Sequence, residues 1–255
     1  MEGRTREKAA GWLKLPLPLG SPDPDEPFDP VKPAGLIGLY EEILNDLRDC
    51  EFTLFELGIK RGDSLVMWRD AFPRATVIGL DLDPPEEQFG DRVHMWKGDQ
   101  TDCQLLSRIR QQHAPDGFDV VIDDASHFGA ESAASLRCII NQHIRPGGNY
   151  VIEDSYTGYT DWWRDGRSPR PSVFDAEEVG RTRRSLGKGE RFPSHEFGLP
   201  GVVKQLLDQL AAPSVPWFSG GGQEKEMKIA SMRVDPGAVV LVRDGSTQPK
   251  AEIEG

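Results

Sequence analysis

An α/β fold with a doubly wound, mostly parallel sheet is predicted by three features of this sequence. Short apolar runs alternate with helical patterns, acidic residues recur at the ends of those runs, and two late apolar runs flank a tight turn. FTLFELG (52–58), TVIGLDL (76–82), VHMWKGD (93–99), DVVIDDA (119–125) and YVIED (150–154) each read as a buried parallel strand. Near-continuous apolar letters suit a strand covered on both faces. EMKIASMRV and GAVVLVR, on either side of Asp235-Pro236-Gly237, predict a C-terminal antiparallel hairpin that brings the sheet to seven strands.

Taken in order, residues 1–50 form an N-terminal arm and a helix. Leu15 to Pro33 (LPLPLGSPDPDEPFDPVKP) is too rich in proline for a helix interior or a sheet ladder. Leu36, Leu39, Tyr40, Ile43, Leu44 and Leu47 then repeat at helical spacing, which makes an amphipathic helix that packs on the sheet beyond it. The main domain spans 51–245. Its helices are expected near Ser64 to Phe72, in a short turn with Asp83 as cap and Pro84 at the first helical position, and after the capping box Thr101-x-x-Gln104. Another runs from Ala130 to His143 and stops before Arg145-Pro146-Gly147-Gly148. Residues 155–198 lack a regular pattern and are rich in Gly, Arg, Pro and Trp, the composition of a lid or acceptor-binding segment. Leu199 to Ala212 is helical again, with Val203, Leu206, Leu207 and Leu210 on one face, and 246–255 reads as a flexible tail.

Charge narrows the partners. With 30 Lys and Arg against 42 Asp and Glu, the chain of 255 residues carries a formal charge of -12 and would be repelled by polyphosphate, which argues against nucleic acid. Cys50, Cys103 and Cys138 are widely and irregularly spaced, with no metal knuckle and no CxxC pair, so a reducing compartment, the cytoplasm, is expected. GWLKLPLPLG is broken by a lysine and two prolines and is no signal-peptide core. No run approaches the ~18 apolar residues of a membrane span.

In a doubly wound sheet ligands bind at the carboxyl ends of the strands. Glu56-Leu57-Gly58, Asp81, Asp99-Gln100, Asp123-Asp124 and Glu153-Asp154 all fall there. The first turn, ELGIKRG, has neither the GxGxxG of a dinucleotide site nor the GKS or GKT of a P-loop. A nucleoside ligand without phosphates fits better, and the acidic rim suits a cationic one such as S-adenosylmethionine. Asp81 can accept both ribose hydroxyls, or cap the next helix. Asp99 and Gln100 can read adenine, or form a solvated turn. Glu56, inside an apolar run, can hold a ribose or the amino end of the ligand. IDDASH (122–127) with IED (152–154) gathers up to four carboxylates at two neighbouring strand ends. Such crowding is costly unless a hard divalent cation relieves it, and an all-oxygen set suits Mg²⁺ better than zinc. His127 then stands at the mouth as a general base, or caps the following helix.

At these residues the sequence resembles the class I S-adenosylmethionine-dependent methyltransferases, whose sheet is Rossmann-like, and more narrowly the metal-dependent, mycinamicin-type O-methyltransferases of macrolide sugars. FELGIKRGDSLVMW, GLDLD, KGDQTD, VVIDDASH and RPGGNYVIED carry the resemblance, from about Phe52 to Tyr156. Ala125 stands where that family usually has glycine, and Asn149 where an apolar or aromatic residue is common. The resemblance implies that Asp124, Glu153 and Asp154 ligate Mg²⁺ and that His127 is the catalytic base. It places Glu56, Gly58, Ser64, Asp81, Asp99, Gln100 and Asp123 in the S-adenosylmethionine pocket. It also implies a small-molecule glycosylated acceptor from antibiotic biosynthesis and a homo-oligomer. Acceptor choice would fall to Tyr156, Tyr159, Trp162, Trp163, Arg164 and Arg167, which suit stacking on a sugar or aglycone and pairing with acidic groups. His195 is an alternative base. A catechol-type methyltransferase, or a binding protein that kept the pocket without the chemistry, are the competing readings.

Overall fold

The computed structural model describes residues 32, 34–159, 163–167, 197–211 and 226–245. Seven strands form where apolar runs were expected: β1 Thr53–Leu57, β2 Thr76–Asp81, β3 Val93–Lys97, β4 Phe118–Asp123, β5 Ile144–Glu153, β6 Ile229–Asp235 and β7 Ala238–Arg243. They make one sheet in the order β3-β2-β1-β4-β5-β7-β6. Pairing is parallel from β3 through β5, while β7 is antiparallel to both β5 and β6. The chain works outward from β1 to β3 and then returns to lay β4 on the other side of β1. The strand order therefore reverses between β1 and β4, the place where such sheets open a ligand crevice.

Five α-helices are described: α1 Ala34–Leu44, α2 Asp63–Ala71, α3 Cys103–His113, α4 Gly129–Ile140 and α5 Gly198–Ala211. One apolar layer joins α1 and α2 to the sheet through Leu36, Tyr40, Leu44, Leu65, Trp68 and Phe72. The other joins α3, α4 and α5 through Leu106, Ile109, Leu136, Ile139, Leu199 and Leu206. Alternation along each strand decides which layer a side chain enters. In β1, Leu54 belongs to the α1/α2 layer and Phe55 and Leu57 to the opposite one. Glu56 therefore points toward α1 and α2.

Three local expectations are corrected. Residues 82–90 form no helix. The Asp83 N–H donates to Asp81 Oδ1 at 3.0 Å, a side-chain turn that competes with helical bonding. The α3 cap is Asp102, whose Oδ1 accepts the N–H groups of Gln104 and Leu105, both at 3.0 Å. Thr101 is unsuited to that task because its hydroxyl donates to Asp99 Oδ1 at 2.8 Å. Finally, Arg145-Pro146-Gly147-Gly148 lies within β5 as a bulge: Phe118 pairs with Ile144 and Val120 with Asn149. Gly148 is required there, since a Cβ would sit 2.8 Å from the Asp119 carbonyl oxygen.

Cys103 and Cys138 form a disulfide between α3 and α4, with Cα atoms 5.5 Å apart. At a separation of 35 residues the pair has no local signature in the sequence. Cys50 is free and exposed. No helix among the described residues is long and apolar enough to cross a membrane.

Two histidines make stability depend on pH. His113 stacks on His94 with ring centroids 4.4 Å apart, and Trp96 Nε1 donates to its Nε2 at 3.2 Å. Burial, reinforced by His94, holds its pKa below the ordinary 6.5. Burial, reinforced by Arg110, does the same to His143. The unfolded chain thus takes up protons first as the pH falls through 6.5, so this contribution is complete above that value and is lost below it. The double variant His113→Gln, His143→Gln is expected to lose less stability than the wild type between about pH 7 and 5. Equal acid-side slopes in urea unfolding would contradict this.

Candidate active site

A cavity of about 830 Å³ opens at the carboxyl ends of the central strands, with Gly58, Asp81, Asp99, Gln100, Asp124 and His127 in its wall. Lys60, His127 and Asp154 also line it, and each holds a left-handed backbone, with φ of 48°, 53° and 51°. Non-glycine residues in that region cost about 1–3 kcal/mol each and persist only where surrounding structure enforces them. Part of the enforcement is visible: the Thr157 hydroxyl reaches the His127 and Asp154 carbonyl oxygens at 3.2 and 3.0 Å.

One side of the cavity is built from the first loop. Gly58 has φ +80° and packs so tightly that a Cβ would lie 2.3 Å from the Asp124 carbonyl oxygen. Asp81 Oδ2 accepts the N–H groups of Ile59 and Lys60, both at 2.9 Å, and ties this loop to the end of β2. A carboxylate has acceptor capacity beyond these bonds, so the ribose reading of Asp81 remains chemically open. Ser64 lies in the first turn of α2 and lines the cavity. The Thr101 N–H and hydroxyl both donate to Asp99 and hold its carboxyl below the usual range. Gln100 spends its amide inside the protein: its Oε1 accepts the Ser126 N–H at 3.1 Å, and its Nε2 donates to Ser135 Oγ at 2.9 Å and Asp123 Oδ1 at 3.3 Å. It braces the turn that carries His127.

Glu56 and Asp123 are not in the cavity wall. Asp123 points into the α3/α4/α5 layer, where the Tyr150 hydroxyl donates to it at 3.1 Å and burial pushes its carboxyl up. Glu56, on the α1/α2 side, accepts from Trp68 Nε1 at 3.1 Å and from Lys32 at 3.0 Å.

Sequence reasoning misses Lys32. It is 1% exposed, and its Nζ lies 3.0 Å from Glu56 Oε1, 2.6 Å from Asp124 Oδ2 and 2.7 Å from Glu153 Oε1. Burial by itself would lower its pKa, but Asp124, Glu153 and Glu56 outweigh this and hold the ammonium well above its ordinary value. Glu153 also accepts from the Tyr40 hydroxyl, brought in by α1. Burial, opposed by Lys32 and reinforced by Asp124, pushes Glu153 up to about 8. Asp154 is raised too, by burial, with His127 opposing.

The carboxylates thus divide into two sets that share Asp124. Glu56, Asp124 and Glu153 form the inner one; Asp124, His127 and Asp154 form the outer one. His127 Nε2 lies 3.5 Å from Asp154 Oδ2 and 3.8 Å from Asp124 Oδ1. Asp124 therefore turns one oxygen to Lys32 and the other to His127. Asp124 and Asp154 meet at His127, while Glu153, which lines the same cavity, is held by Lys32 and Tyr40. Above His127 lies Trp163, its ring centroid 5.6 Å away, and Arg164 sits 5.1 Å over the Phe128 ring. Asp165 Oδ2 accepts the Gly129 N–H at 2.7 Å and fastens this segment to the start of α4. Tyr156 and Tyr159 are exposed. Trp162 and His195 lie outside the described residues.

No family model matches the chain. It is 32% identical over 177 residues to the mycinamicin VI 2''-O-methyltransferase of Micromonospora griseorubida, a match spanning 66% of this chain and 43% of that protein. It is 38% identical over 195 residues to the 8-demethyl-8-(2-methoxy-alpha-L-rhamnosyl)-tetracenomycin-C 3'-O-methyltransferase of Streptomyces olivaceus, covering 71% and 43%. The chain therefore spans less than half the length of these relatives. Among solved structures, the MycE methyltransferase of the mycinamycin biosynthetic pathway, in complex with Mg, SAH and mycinamycin VI, superposes with a TM-score of 0.61 at 26% identity, over 82% of this chain and 48% of that one. With its reversing strand order, the glycine turn after β1 and the acidic strand ends, the chain belongs by fold and sequence to the class I S-adenosylmethionine-dependent methyltransferases, within which it resembles the mycinamicin-type sugar O-methyltransferases.

Proposed function

We propose that the protein transfers the methyl group of S-adenosylmethionine to a hydroxyl of a sugar on a glycosylated natural product, with Mg²⁺ as cofactor, in antibiotic biosynthesis. The observation that carries this reading is one cavity lined by Gly58, Asp81 and Asp99 together with Asp124, His127, Glu153 and Asp154. A divalent ion fits the donor chemistry, since carboxylate oxygens of Asp124 and Asp154 converge beside His127 and Glu153 lines the same cavity. When bound, Mg²⁺ lowers the pKa of a coordinated hydroxyl and neutralises part of the carboxylate charge.

The protein's own groups do the rest. The imidazole of His127 takes the acceptor's hydroxyl proton, while Asp154 and Asp124 near its Nε2 stabilise the imidazolium that results. The acceptor oxygen then bonds to the methyl carbon as the carbon–sulfur bond breaks, leaving neutral S-adenosylhomocysteine. Trp163, Tyr156 and Thr157 line the same cavity.

Thermal unfolding tests this without knowledge of the acceptor. S-adenosylhomocysteine at about 100 times its dissociation constant adds about 2.7 kcal/mol and should raise the midpoint by roughly 5–10 °C, with a further rise on adding Mg²⁺. No shift with either would remove the reading. A panel of macrolide and anthracycline-type glycosides beside catechols then separates sugar from phenolic acceptors.

A further inference from the structure

Helix α1 precedes the sheet in the chain, and one of its buried side chains does more than fill the α1/α2 layer. Tyr40 has no exposed surface, and its hydroxyl donates to Glu153 Oε1 at 2.5 Å. The ring shares its apolar layer with Leu36, Leu39 and Leu44 of the same helix and meets Trp68 edge-on, with centroids 4.9 Å apart. Trp68 is fixed in turn, because its Nε1 donates to Glu56 Oε2 at 3.1 Å. Lys32 reaches the same Oε1 of Glu153 at 2.7 Å. Both partners therefore take one oxygen of the carboxylate, which leaves Oε2 to a ligand. Glu153 lines the cavity beside Asp124 and Asp154, whereas Tyr40 stands behind the wall.

We propose that Tyr40 is a positioning residue for the divalent ion: acting through Glu153, it pins Oε1 and so presents Oε2 as a ligand together with Asp124 and Asp154. Glutamate reaches further than aspartate through more rotatable bonds, and it gives up that freedom when it coordinates an ion. A tyrosine ring wedged against Trp68 is stiff, so it fixes the carboxylate before the ion arrives. Hydrogen bonds to ligating carboxylates orient them in metal sites generally, and loss of one weakens metal binding by about 10- to 100-fold. The hydroxyl is uncharged, so it orients Glu153 without repelling a cation, a property that the ammonium of Lys32 does not share. The inference rests on the proposed function in taking Glu153 as a ligand of the divalent ion.

The test reads metal binding, not turnover. Tyr40→Phe removes the hydroxyl and keeps the ring. Its Mn²⁺ affinity, followed by the electron paramagnetic resonance signal of the free ion, is expected to fall about tenfold, while S-adenosylhomocysteine affinity without metal stays within about twofold. Tyr150→Phe is the matched control. Tyr150 is as deeply buried, and its hydroxyl donates to Asp123 Oδ2 at 3.1 Å, a carboxylate at the end of the neighbouring β4 that is absent from the cavity wall. Tyr150→Phe is expected to bind Mn²⁺ as the wild type does. General loosening of the sheet would weaken both variants alike, and that result overturns the proposal. So does unchanged or tighter Mn²⁺ binding in Tyr40→Phe, and so does loss of S-adenosylhomocysteine binding in that variant, which would make the hydroxyl a part of the scaffold. If the wild type binds Mn²⁺ and Tyr40→Phe binds it equally well, the inference falls alone; if the wild type binds S-adenosylhomocysteine but no Mn²⁺, it falls together with the metal in the proposed function.

Discussion

His127→Ala is expected to lower turnover by about 10²- to 10⁴-fold while S-adenosylhomocysteine affinity stays within about twofold, the range typical for loss of a positioned base. The separation follows from geometry. His127 lines the cavity beside Asp124, Asp154 and Trp163, whereas Asp81 takes the N–H groups of Ile59 and Lys60. Its left-handed backbone supports the same conclusion, since alanine is no more comfortable there than histidine and the fold gains little from keeping it. The measurements are single-turnover methyl transfer and calorimetric titration with S-adenosylhomocysteine. Turnover near the wild-type rate removes His127 as base; a large loss of cofactor affinity would move it to the cofactor's half of the site.

Gly58→Ala should be strongly damaging for the addition of a single methyl group. The added Cβ would meet the Asp124 carbonyl oxygen at 2.3 Å and the Ala125 Cα at 2.4 Å, both backbone atoms that cannot swing aside. The positive φ adds a conformational penalty that glycine escapes. Together these should cost about 3 kcal/mol, a fall of roughly 6–12 °C in the thermal midpoint at this chain length, with loss of S-adenosylhomocysteine binding. Gly38→Ala is the control. Gly38 lies in α1 with nothing within 4 Å of its would-be Cβ, so alanine there should be neutral or stabilising. If the two variants unfold alike, the close approach of the β1 and β4 turns is not what Gly58 serves.

The sheet was legible because its evidence is local. Most of the parallel strands announce themselves by a short, nearly continuous apolar run, and turn residues mark the hairpin at Asp235-Pro236-Gly237. Asp124, His127 and Asp154 were legible as a group for a related reason: they come directly after strands that pair side by side. Glu56 and Glu153 were harder, because being at a strand's end says nothing about which face a side chain takes. Period-two alternation sends Glu56 with Leu54, and Glu153 with Val151, toward α1, so that Glu56 leaves the cavity wall while Glu153 keeps a place in it beside Lys32 and Tyr40. Lys32 left no trace at all. It sits between a valine and a proline in a stretch without periodicity, and its partners are 24 to 121 positions away in the chain. Contacts of that kind depend on the assembled fold and have no signature in a window of sequence.

The placement of β7 has a consequence for how the molecule is made. It lies between β5 and β6, yet it comes after both in the chain. While residues 238–243 are still inside the ribosome, β5 is a bare edge from Asn149 to Glu153, and β6 has no neighbour in the sheet at all. A nascent chain in that state offers an unpaired apolar ladder, the kind of surface that recruits strands from other molecules. β7 therefore acts as a closing stitch: by pairing with β5 up to Glu153, it finishes the wall beside that carboxylate only once the chain through Arg243 is free to fold.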